Sequence, residues 1–341
     1  MNKESSSDEP RQIETKWFHE FAKTLPSLQG KTIAITGCTT GTGYIAARTC
    51  IEKGADNVLL LNRTSERSER AEQMLNEFKM TVKNTTTNIE TIACDLQDFD
   101  SVRQAANRIK DKYEAVDVLC NNAGVMALED IATKDGYDIQ MQTNHLSHFL
   151  LTKEVFPLLV RAKELQGEAR IVQHSSGARR GFEPLKAEYL ERRGGNLGGN
   201  GGNMWLGGAK WKRYHQTKLA NAVFTLGLAD RLVGSGIKAA VAAPGMAATN
   251  LQVTTNKTGG MYGAMWTMCF AQSAEDGSMP LLAACFDPST ENGDFWEPSK
   301  NGALIGPAVK VPYDRLSKDP ESRILLWKKS EEACGTFEIS I

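Results

Sequence analysis

The chain has 341 residues, of which 41% are hydrophobic, and 40 basic against 41 acidic side chains give a formal net charge of −1. This length fits two domains or one large α/β domain, and the alternation of strands with helices favours one. The basic residues gather on no single element, which disfavours a nucleic-acid surface. Seven cysteines without a Cys-x-x-Cys pair indicate a reducing compartment, and five histidines without ligand spacing disfavour a metal site.

Residues 1–29 form a polar extension with a short amphipathic stretch from Trp17 to Leu25. They contain neither the apolar core of a signal peptide nor the arginine-rich makeup of a transit peptide. No run of about 18 apolar residues could span a bilayer. The sequence therefore predicts a cytoplasmic protein with no transmembrane segment. One domain is expected over 30–341, with an insertion at about 182–210 and an extension from about 290.

Lys31 to Thr36 is a predicted buried strand, and a glycine-rich turn separates it from a helical pattern at Tyr44 to Glu52. Glycines at such a junction let the backbone turn tightly and approach a pyrophosphate, which free N–H groups at the helix start can bind. An ordinary turn is the alternative, but the strand before it and the helix after it favour phosphate binding. The residues assigned to this site are Gly37, Thr39, Thr40, Gly41, Thr42 and Gly43.

The second predicted strand, Asn57 to Leu61, ends in Asn62-Arg63. A dinucleotide site for the unphosphorylated cofactor usually has an acidic residue here, which binds the ribose 2′-hydroxyl. Arg63 can instead pair with a 2′-phosphate, and a surface arginine that caps the strand is the alternative. The sequence therefore predicts NADP(H) rather than NAD(H).

The third predicted strand, Ile89 to Cys94, ends at Asp95 and Leu96. Asp95 either accepts a hydrogen bond from the adenine amino group or starts the next turn. The fourth predicted strand, Val116 to Cys120, is followed by small residues that leave room for a ribose and a nicotinamide across the sheet. The residues assigned to the cofactor here are Asp95, Leu96, Asn122, Ala123 and Gly124, while Asn121 is expected to brace neighbouring strands.

A long helical region from about Asp135 to Gln166 contains Asn144. An asparagine in mid-helix can bond its own backbone, or it can hold a kink or a water near Lys218, and both options remain open. The next predicted strand, Ala169 to His174, delivers Ser175-Ser176 to the same edge of the sheet. A hydroxyl there can hydrogen-bond a substrate carbonyl oxygen as charge develops on it. No Gly-x-Ser-x-Gly elbow surrounds either serine, which disfavours a nucleophile.

Glycine and asparagine dominate the stretch from Gly194 to Gly208, between Ser176 and Tyr214. So much glycine is unfavourable to order and cannot pack a core, so the sequence predicts a flexible loop. The loop either closes over the substrate as a lid or is a passive surface insertion.

Tyr214 and Lys218 lie four residues apart on a predicted helix, so their side chains share one face. A neighbouring ammonium favours the phenolate and lowers a tyrosine pKa from its usual value of about 10, which suits a general acid/base. An exposed contact between the ring and the lysine is the common alternative.

After a strand from Ile237 to Ala242, the turn at Pro244-Gly245 is expected to bring backbone groups and Thr249 toward the nicotinamide carboxamide. A simple turn before a helix is the alternative. The apolar run from Met261 to Phe270 fits either core packing or a wall of an apolar substrate site. Asp294 to Trp296 is expected to add a last strand, and Arg323 to Ala333 a closing helix.

Together these motifs resemble the short-chain dehydrogenase/reductase family, from about Lys31 to Leu251. The likeness rests on Gly37, Gly41 and Gly43, on Asn121-Asn122-Ala123-Gly124, and on Asn144, Ser176, Tyr214, Lys218 and Pro244-Gly245. The branch that holds retinol dehydrogenases and protochlorophyllide oxidoreductases is the most similar. It is suggested by Asn144-His145-Leu146-Ser147-His148-Phe149, Lys218-Leu219-Ala220-Asn221 and Leu326-Trp327.

This resemblance implies an α/β fold with a Rossmann-type, doubly wound parallel sheet in a single domain. It implies that Tyr214 donates the proton in reduction and that Lys218 lowers the pKa of Tyr214 and binds the nicotinamide ribose. Ser176 would polarise the carbonyl, and Asn144 would complete a proton relay. The insertion enlarges the usual spacing from serine to tyrosine, and the membrane-anchoring segment of many retinol dehydrogenases is missing, which makes membrane retinoids less expected substrates.

The expected function is an NADP(H)-dependent oxidoreductase that interconverts a carbonyl and an alcohol on a small, mostly apolar organic molecule. Reduction of a carbon–carbon double bond, as in the protochlorophyllide branch, is one alternative. A catalytically silent NADP(H)-binding module is another. The expected partner is the small-molecule substrate. The sequence leaves the oligomeric state open and is compatible with a homo-oligomer.

Overall fold

The computed structural model describes residues 13–181, 183–202, 208–247 and 271–339. The described chain forms one eight-stranded sheet with the spatial order β3-β2-β1-β4-β5-β6-β7-β8. All neighbouring strands run parallel except β7 and β8, which are antiparallel. The strands are β1 (Thr32–Thr36), β2 (Asn57–Asn62), β3 (Asn88–Ala93), β4 (Val118–Asn121), β5 (Ala169–His174), β6 (Ile237–Ala242), β7 (Phe295–Lys300) and β8 (Ile305–Lys310).

Helices connect the parallel strands and cover both faces of the sheet. The α-helices are α1 (Phe18–Thr24), α2 (Gly41–Glu52), α3 (Glu66–Thr81), α4 (Phe99–Lys112), α5 (Ile139–Met141), α6 (Ser147–Gln166), α7 (Ala209–Arg231), α8 (Ala274–Phe286) and α9 (Pro320–Cys334). A π-helical turn, Gln142–Leu146, joins α5 to α6. From β1 the chain first adds β2 and β3 on one side, and then β4 on the other. This reversal leaves a crevice at the carboxyl ends of β1 and β4, where doubly wound folds bind ligands.

Alternate side chains of the central strands point into two separate cores. In β1, Ala34 packs with α4, α6 and α7 on one face, whereas Ile33 and Ile35 pack with α1, α2 and α8 on the other. Every residue of β1, β4 and β5 is buried, as expected for parallel strands covered on both faces. The prediction of a doubly wound α/β sheet is confirmed.

The amphipathic stretch before β1 forms α1 and packs onto the second core through Phe18 and Ala22. The carboxylate of Asp276, at the start of α8, is fully buried beneath it. Asp276 accepts backbone N–H bonds from Lys16, Trp17 and Phe18 at 2.8, 2.9 and 2.9 Å. These hydrogen bonds give the N–H groups at the start of α1 an acceptor, and they compensate the buried carboxylate of Asp276.

Three elements depart from the sequence expectation. The long helix begins only at Ile139 and is interrupted by the π-helical turn, and α8 and β8 have no predicted counterpart. Almost every residue of α8 is buried, so it lacks the one-sided apolar stripe by which a helix is recognised. Within the described ranges, no helix combines the length and the apolar character needed to cross a bilayer.

Candidate active site

The glycine turn after β1 is shaped by two close approaches of the backbone. Gly37 has φ +72°, and a Cβ atom on it would lie 2.9 Å from the Cβ of Ala123. A Cβ atom on Gly43 would lie 2.3 Å from the carbonyl oxygen of Gly37. Both positions therefore require glycine if the turn is to keep this shape. Thr39 and Thr40 form the half-buried bend between them, and Gly41 begins α2.

The start of α2 is open to an anion. Thr40, at the N-cap position, makes no side-chain capping bond, and the first turn contains no acidic residue. The N–H groups of that turn have no helical acceptor and carry the positive end of the helix dipole. The backbone before them is held by Asn62, whose Oδ1 accepts the N–H of Cys38 at 2.8 Å. This geometry fits a phosphate group.

Asn122 joins the glycine turn to the neighbouring strands. Its Nδ2 donates to the carbonyl oxygens of Thr36 at 2.9 Å and Gly37 at 3.2 Å. Its Oδ1 accepts from Thr42 Oγ1 and from His174 Nδ1, each at 2.9 Å. These bonds use the whole side-chain amide, so Asn122 shapes the cofactor crevice rather than reaching into it.

Lys218 and Asn144 converge on Gly124. A Cβ atom on Gly124 would lie 3.2 Å from both Lys218 Nζ and Asn144 Oδ1. The Lys218 ammonium donates to the carbonyl oxygen of His174 at 2.9 Å. Burial lowers the pKa of Lys218 to about 8, so the ammonium still predominates at neutral pH.

Tyr214 is buried on the same helix, with its ring 5.8 Å from Lys218 Nζ and edge-on to Trp211. Burial raises the pKa of Tyr214 to about 12, and the hydroxyl of Ser176, bonding to the phenol, only partly opposes this. The lowered pKa expected for Tyr214 is therefore not found in this structure, since desolvation of the phenolate dominates, and the influence of Lys218 on the phenol stays a prediction. The alternative of an exposed contact is wrong too, because both side chains are buried.

The two adjacent serines have different surroundings. Ser175 Oγ donates to the carbonyl oxygen of Lys218 at 2.7 Å, which ties β5 to α7. Ser176 faces the Tyr214 phenol, and its Oγ accepts the N–H of Ala178 at 3.2 Å. The hydroxyl proton of Ser176 is thus free to point toward the phenol side, as the resemblance predicts for a residue that binds a carbonyl oxygen.

A buried ion cluster holds the short turn that follows Ser176. Arg179 donates to the carbonyl oxygen of Ser176 at 3.2 Å, to Glu297 at 2.6 Å and to Asp314 at 2.9 Å. Its guanidinium also lies 4.1 Å above the Phe295 ring. Arg179 and Glu297 are both 1% exposed, so this pair joins the serine turn to β7 in the protein interior.

Asn144 lies in the π-helical turn, the irregular part of this long helical region. Its Oδ1 accepts the N–H of Val125 at 2.7 Å, and its Nδ2 donates to the carbonyl oxygen of Val125 and to Thr217 Oγ1, both at 2.9 Å. The carbonyl oxygen of Asn144 lies 3.1 Å from His148 Nδ1, while His148 Nε2 lies 3.0 Å from Thr36 Oγ1. Because a carbonyl only accepts, His148 carries its proton on Nδ1.

The last described helix braces this π-helical turn from behind. His145 Nε2 and Ser330 Oγ of α9 are 2.8 Å apart, and Cys334 Sγ donates to the carbonyl oxygen of Leu146 at 3.3 Å. Burial lowers the pKa of His145 to about 3 and that of His148 to about 4, so both rings are neutral at physiological pH. The contacts of His145 and His148 within the protein interior explain the spacing of these two rings.

Arg63 and Asp95 lie at the carboxyl ends of β2 and β3. Arg63 is exposed directly after β2, where a 2′-phosphate is expected. Asp95 Oδ1 accepts the N–H of Gln97 at 3.0 Å, which agrees with the turn-starting alternative. The carbonyl oxygen of Leu96 accepts a hydrogen bond from Ser147 Oγ at 2.6 Å.

The turn after β6 is also tightly packed. The carbonyl oxygen of Pro244 accepts from Gln272 Nε2 at 2.9 Å, and Gly245 has φ +67°. A Cβ atom on Gly245 would lie 2.3 Å from the carbonyl oxygen of Leu304. Thr249 and the apolar run from Met261 to Phe270 lie outside the described residues.

In the segment from Gly194 to Gly208, predicted to be a flexible loop, residues 194–202 make specific contacts with the loop between β4 and α5. Leu197 N and Gly199 N donate to Asp130 Oδ2 at 2.8 and 2.7 Å, and Leu197 is buried. Side chains outside the segment satisfy its backbone, which composition alone does not reveal. Residues 203–207 lie outside the described part of the chain.

Sequence reasoning missed several residues that support the site. His174 supplies both an acceptor to Lys218 and a bond to Asn122, and Arg179 supports the serine turn. His174 immediately precedes the two serines, and this position was the only available signal. The partner of Arg179, Glu297, is 118 residues away and carries no motif.

Comparison with known proteins places this geometry in a family. The family model described as short chain dehydrogenase matches residues 31–189. An uncharacterized oxidoreductase of Schizosaccharomyces pombe is 36% identical over 229 residues, which cover 67% of this chain and 63% of that protein. Human retinol dehydrogenase 12 is 30% identical over 321 residues, which cover 92% of this chain and 89% of that protein.

A crystal structure of an uncharacterized protein from Mycobacterium paratuberculosis superposes with a TM-score of 0.69 at 29% identity. The match covers 96% of this chain and 100% of that chain. The relatives are oxidoreductases, and retinol dehydrogenases are among them. On these matches, the chain belongs to the short-chain dehydrogenase/reductase family.

Proposed function

We propose that this protein is an NADP(H)-dependent oxidoreductase that interconverts a carbonyl and an alcohol on a small, mostly apolar organic substrate. The observation that carries the proposal is the convergence of four side chains from three separate segments of the chain. Lys218 Nζ and Asn144 Oδ1 flank Gly124, and Tyr214 on the same helix as Lys218 faces the hydroxyl of Ser176.

The residues present fit a phosphorylated dinucleotide. The uncapped start of α2 and the turn from Gly37 to Gly43 would hold the pyrophosphate. The exposed guanidinium of Arg63 would pair with a 2′-phosphate. Ala123 and Gly124 leave space for the ribose and the nicotinamide, near the ammonium of Lys218. When bound, the nicotinamide supplies or accepts the hydride.

The chain itself supplies the proton. With a pKa of about 12, Tyr214 is protonated at neutral pH and can donate its phenolic proton to the oxygen of a carbonyl substrate. The hydroxyl of Ser176 donates a hydrogen bond to the same oxygen and stabilises the charge that develops there. The Lys218 ammonium stabilises the phenolate left behind, because an opposite charge nearby favours the ionised form. In alcohol oxidation the same groups act in reverse.

The substitution Tyr214→Phe tests this assignment. It removes the proton donor and keeps the ring, so turnover should fall by a factor of about 100 to 10,000, while NADPH binding followed by fluorescence stays unchanged. Tyr189→Phe is the matched control, since Tyr189 is a buried tyrosine on the segment between Ser176 and α7. Equal turnover of Tyr214→Phe and the native protein would remove the mechanism.

A substrate panel followed by NADPH oxidation separates the proposal from its alternatives. Consumption of ketones and aldehydes supports carbonyl reduction, whereas consumption of the carbon–carbon double bond of an enone supports the other chemistry. Tight NADPH binding without turnover of any compound would favour a silent binding module.

A further inference from the structure

Arg213 is fully buried although it carries a charge, and it lies one residue before Tyr214. Its guanidinium is placed between two carboxylates, with Nε 3.2 Å from Asp138 Oδ2 and Nη1 3.7 Å from Asp130 Oδ2. A buried guanidinium is tolerated only where charges and acceptors compensate it. The mechanism described above does not use this residue.

The two terminal nitrogens of Arg213 donate hydrogen bonds to backbone carbonyls of two other segments. Nη1 donates to Leu197 at 3.3 Å and to Gly199 at 2.9 Å, both in the glycine-rich insertion. Nη2 donates to Leu128 at 3.1 Å, in the loop between β4 and α5. One side chain therefore joins α7, the insertion and that loop.

Asp130 completes the attachment from the opposite side. Its Oδ2 accepts the N–H groups of Leu197 and Gly199, and its own N–H donates to Asn200 Oδ1 at 2.6 Å. The peptide from Leu197 to Gly199 thus has its N–H groups bound by a carboxylate and its carbonyls bound by a guanidinium. Such charge-assisted bonds are stronger than bonds between neutral groups, which offsets the entropy of ordering a glycine-rich segment.

The segments joined by Arg213 adjoin the candidate catalytic residues. The loop of Leu128 and Asp130 also contains Val125, whose backbone N–H and carbonyl oxygen both bind the Asn144 amide. It ends at Asp138, whose Oδ1 caps the start of α5 by accepting the N–H groups of Gln140 and Met141. The α5 helix leads directly into the π-helical turn of Asn144, and Arg213 is the neighbour of Tyr214.

We infer that Arg213 is a positioning residue that holds residues 194–202 as a fixed wall of the substrate site. The inference that this is a substrate site rests on the proposed function. The attachment of residues 194–202 by Arg213 and Asp130 does not depend on that function. A wall that is bonded to both flanks of the site does not open and close. It restricts by its fixed shape which substrates fit. Arg213 and Asp130 therefore set the affinity for the substrate and leave the cofactor site unaffected.

The test is hydrogen exchange of the full-length protein with variants on each side of the attachment. Asp130→Ala removes the acceptor for the insertion but leaves α7 and the Arg213–Asp138 pair intact. Asp130→Asn keeps one acceptor oxygen and serves as the conservative rescue. Arg231→Met, at the far end of α7, is the control for loss of an arginine that packs on an aromatic ring.

In the native protein the amides of Leu197 and Gly199 should be protected. In Asp130→Ala they should exchange at least about 10-fold faster, whereas Asp130→Asn retains part of the protection and Arg231→Met all of it. With an active substrate, Asp130→Ala should raise the KM for that substrate by about 10-fold to 100-fold and leave the KM for NADPH unchanged. Arg213→Met should show the same pattern, and Asp130→Ala decides the outcome if Arg213→Met does not fold.

Unprotected amides in the native protein, or unchanged exchange in Asp130→Ala, would overturn the attachment. Faster exchange with unchanged KM and kcat would overturn the positioning role. If no compound of the substrate panel is turned over, the proposed function fails, and the assignment of residues 194–202 to the wall of a substrate site fails with it. The exchange result still decides whether Arg213 and Asp130 order the insertion.

Discussion

The Lys218 ammonium and the carbonyl oxygen of His174 are joined by a 2.9 Å hydrogen bond at the carboxyl end of β5. Asn221, one turn along α7, donates to the same oxygen at 3.0 Å. The lysine is therefore fixed by the last residue of the strand that delivers Ser175 and Ser176. This bond compensates only part of the charge, since burial still lowers the pKa of Lys218 to about 8.

Replacing Lys218 by Met should stabilise the protein near neutral pH. A pKa lowered from 10.5 to about 8 means that the charged form destabilises the folded state by about 3 kcal/mol below pH 8. The penalty fades as the pH rises from 8 toward 10.5, because the folded protein releases its proton first. Urea unfolding at pH 7 and at pH 10 should show the advantage of Lys218→Met shrinking, together with lost turnover. A constant difference at both pH values would contradict a titrating, buried lysine.

Arg63→Asp should shift the cofactor preference. Loss of a charge-assisted bond to a 2′-phosphate corresponds to about 1.5–3 kcal/mol, so the Kd for NADPH should rise about 10-fold to 100-fold while that for NADH changes little. The control is Arg70→Asp, the same charge change at an exposed position on α3. Titration of both cofactors measures the effect, and an equal loss for NADPH and NADH would refute the assignment.

Gly43→Ala should damage cofactor binding and stability together. The added Cβ would lie 2.3 Å from Gly37 O and 2.4 Å from Asn122 Nδ2, so the glycine turn must move. Overpacking of this kind destabilises by about 1–3 kcal/mol, and NADPH affinity should fall at least 10-fold because the phosphate-binding N–H groups shift. Gly227→Ala is the control, since its Cβ would meet its nearest neighbour at 3.4 Å and alanine favours the helix. Similar behaviour of both variants would argue against the close approach.

Glu297→Gln should act on Ser176 through Arg179. The amide keeps the shape but removes the charge that pairs with Arg179 and Arg180, and breaking a buried pair destabilises by about 3–5 kcal/mol. Turnover should fall about 10-fold or more as the serine turn loosens. The control is Glu168→Gln, which removes the charge that pairs with the buried Arg170 near the start of β5, away from Ser176. This variant should lower stability without lowering kcat. If both variants lowered kcat equally, the effect would be a general consequence of instability.

The parts of the structure that follow from local sequence were predicted well. The buried strands β1 and β2 have continuous apolar runs at their centres, and the glycine turn after β1 lies between a strand and a helix as expected. The site residues Asn144, Ser176, Tyr214 and Lys218 came from motif likeness, and their chemical roles stay predictions. A doubly wound fold brings such residues together, because the carboxyl ends of its parallel strands lie at one edge of the sheet.

The parts that depend on burial or on distant partners were not predicted. The spacing of Tyr214 and Lys218 indicated a lowered tyrosine pKa, but spacing does not reveal that the phenol loses its water. Arg213 resembled any surface arginine, because the carboxylates that bury it lie more than 70 residues earlier, at Asp130 and Asp138. Composition likewise gave no sign that these groups bind the backbone of the insertion.

The bracing of the π-helical turn by α9 has a consequence for how the molecule is made. His145 and Leu146 find their partners in Ser330 and Cys334, which leave the ribosome some 185 residues after them. During synthesis the nucleotide crevice can form early, since β1, α2 and β4 are then already present. The bonds that His145 and Leu146 make to α9 form only when that helix emerges. A nascent chain would therefore gain the ability to hold a nucleotide before it gains a finished catalytic centre.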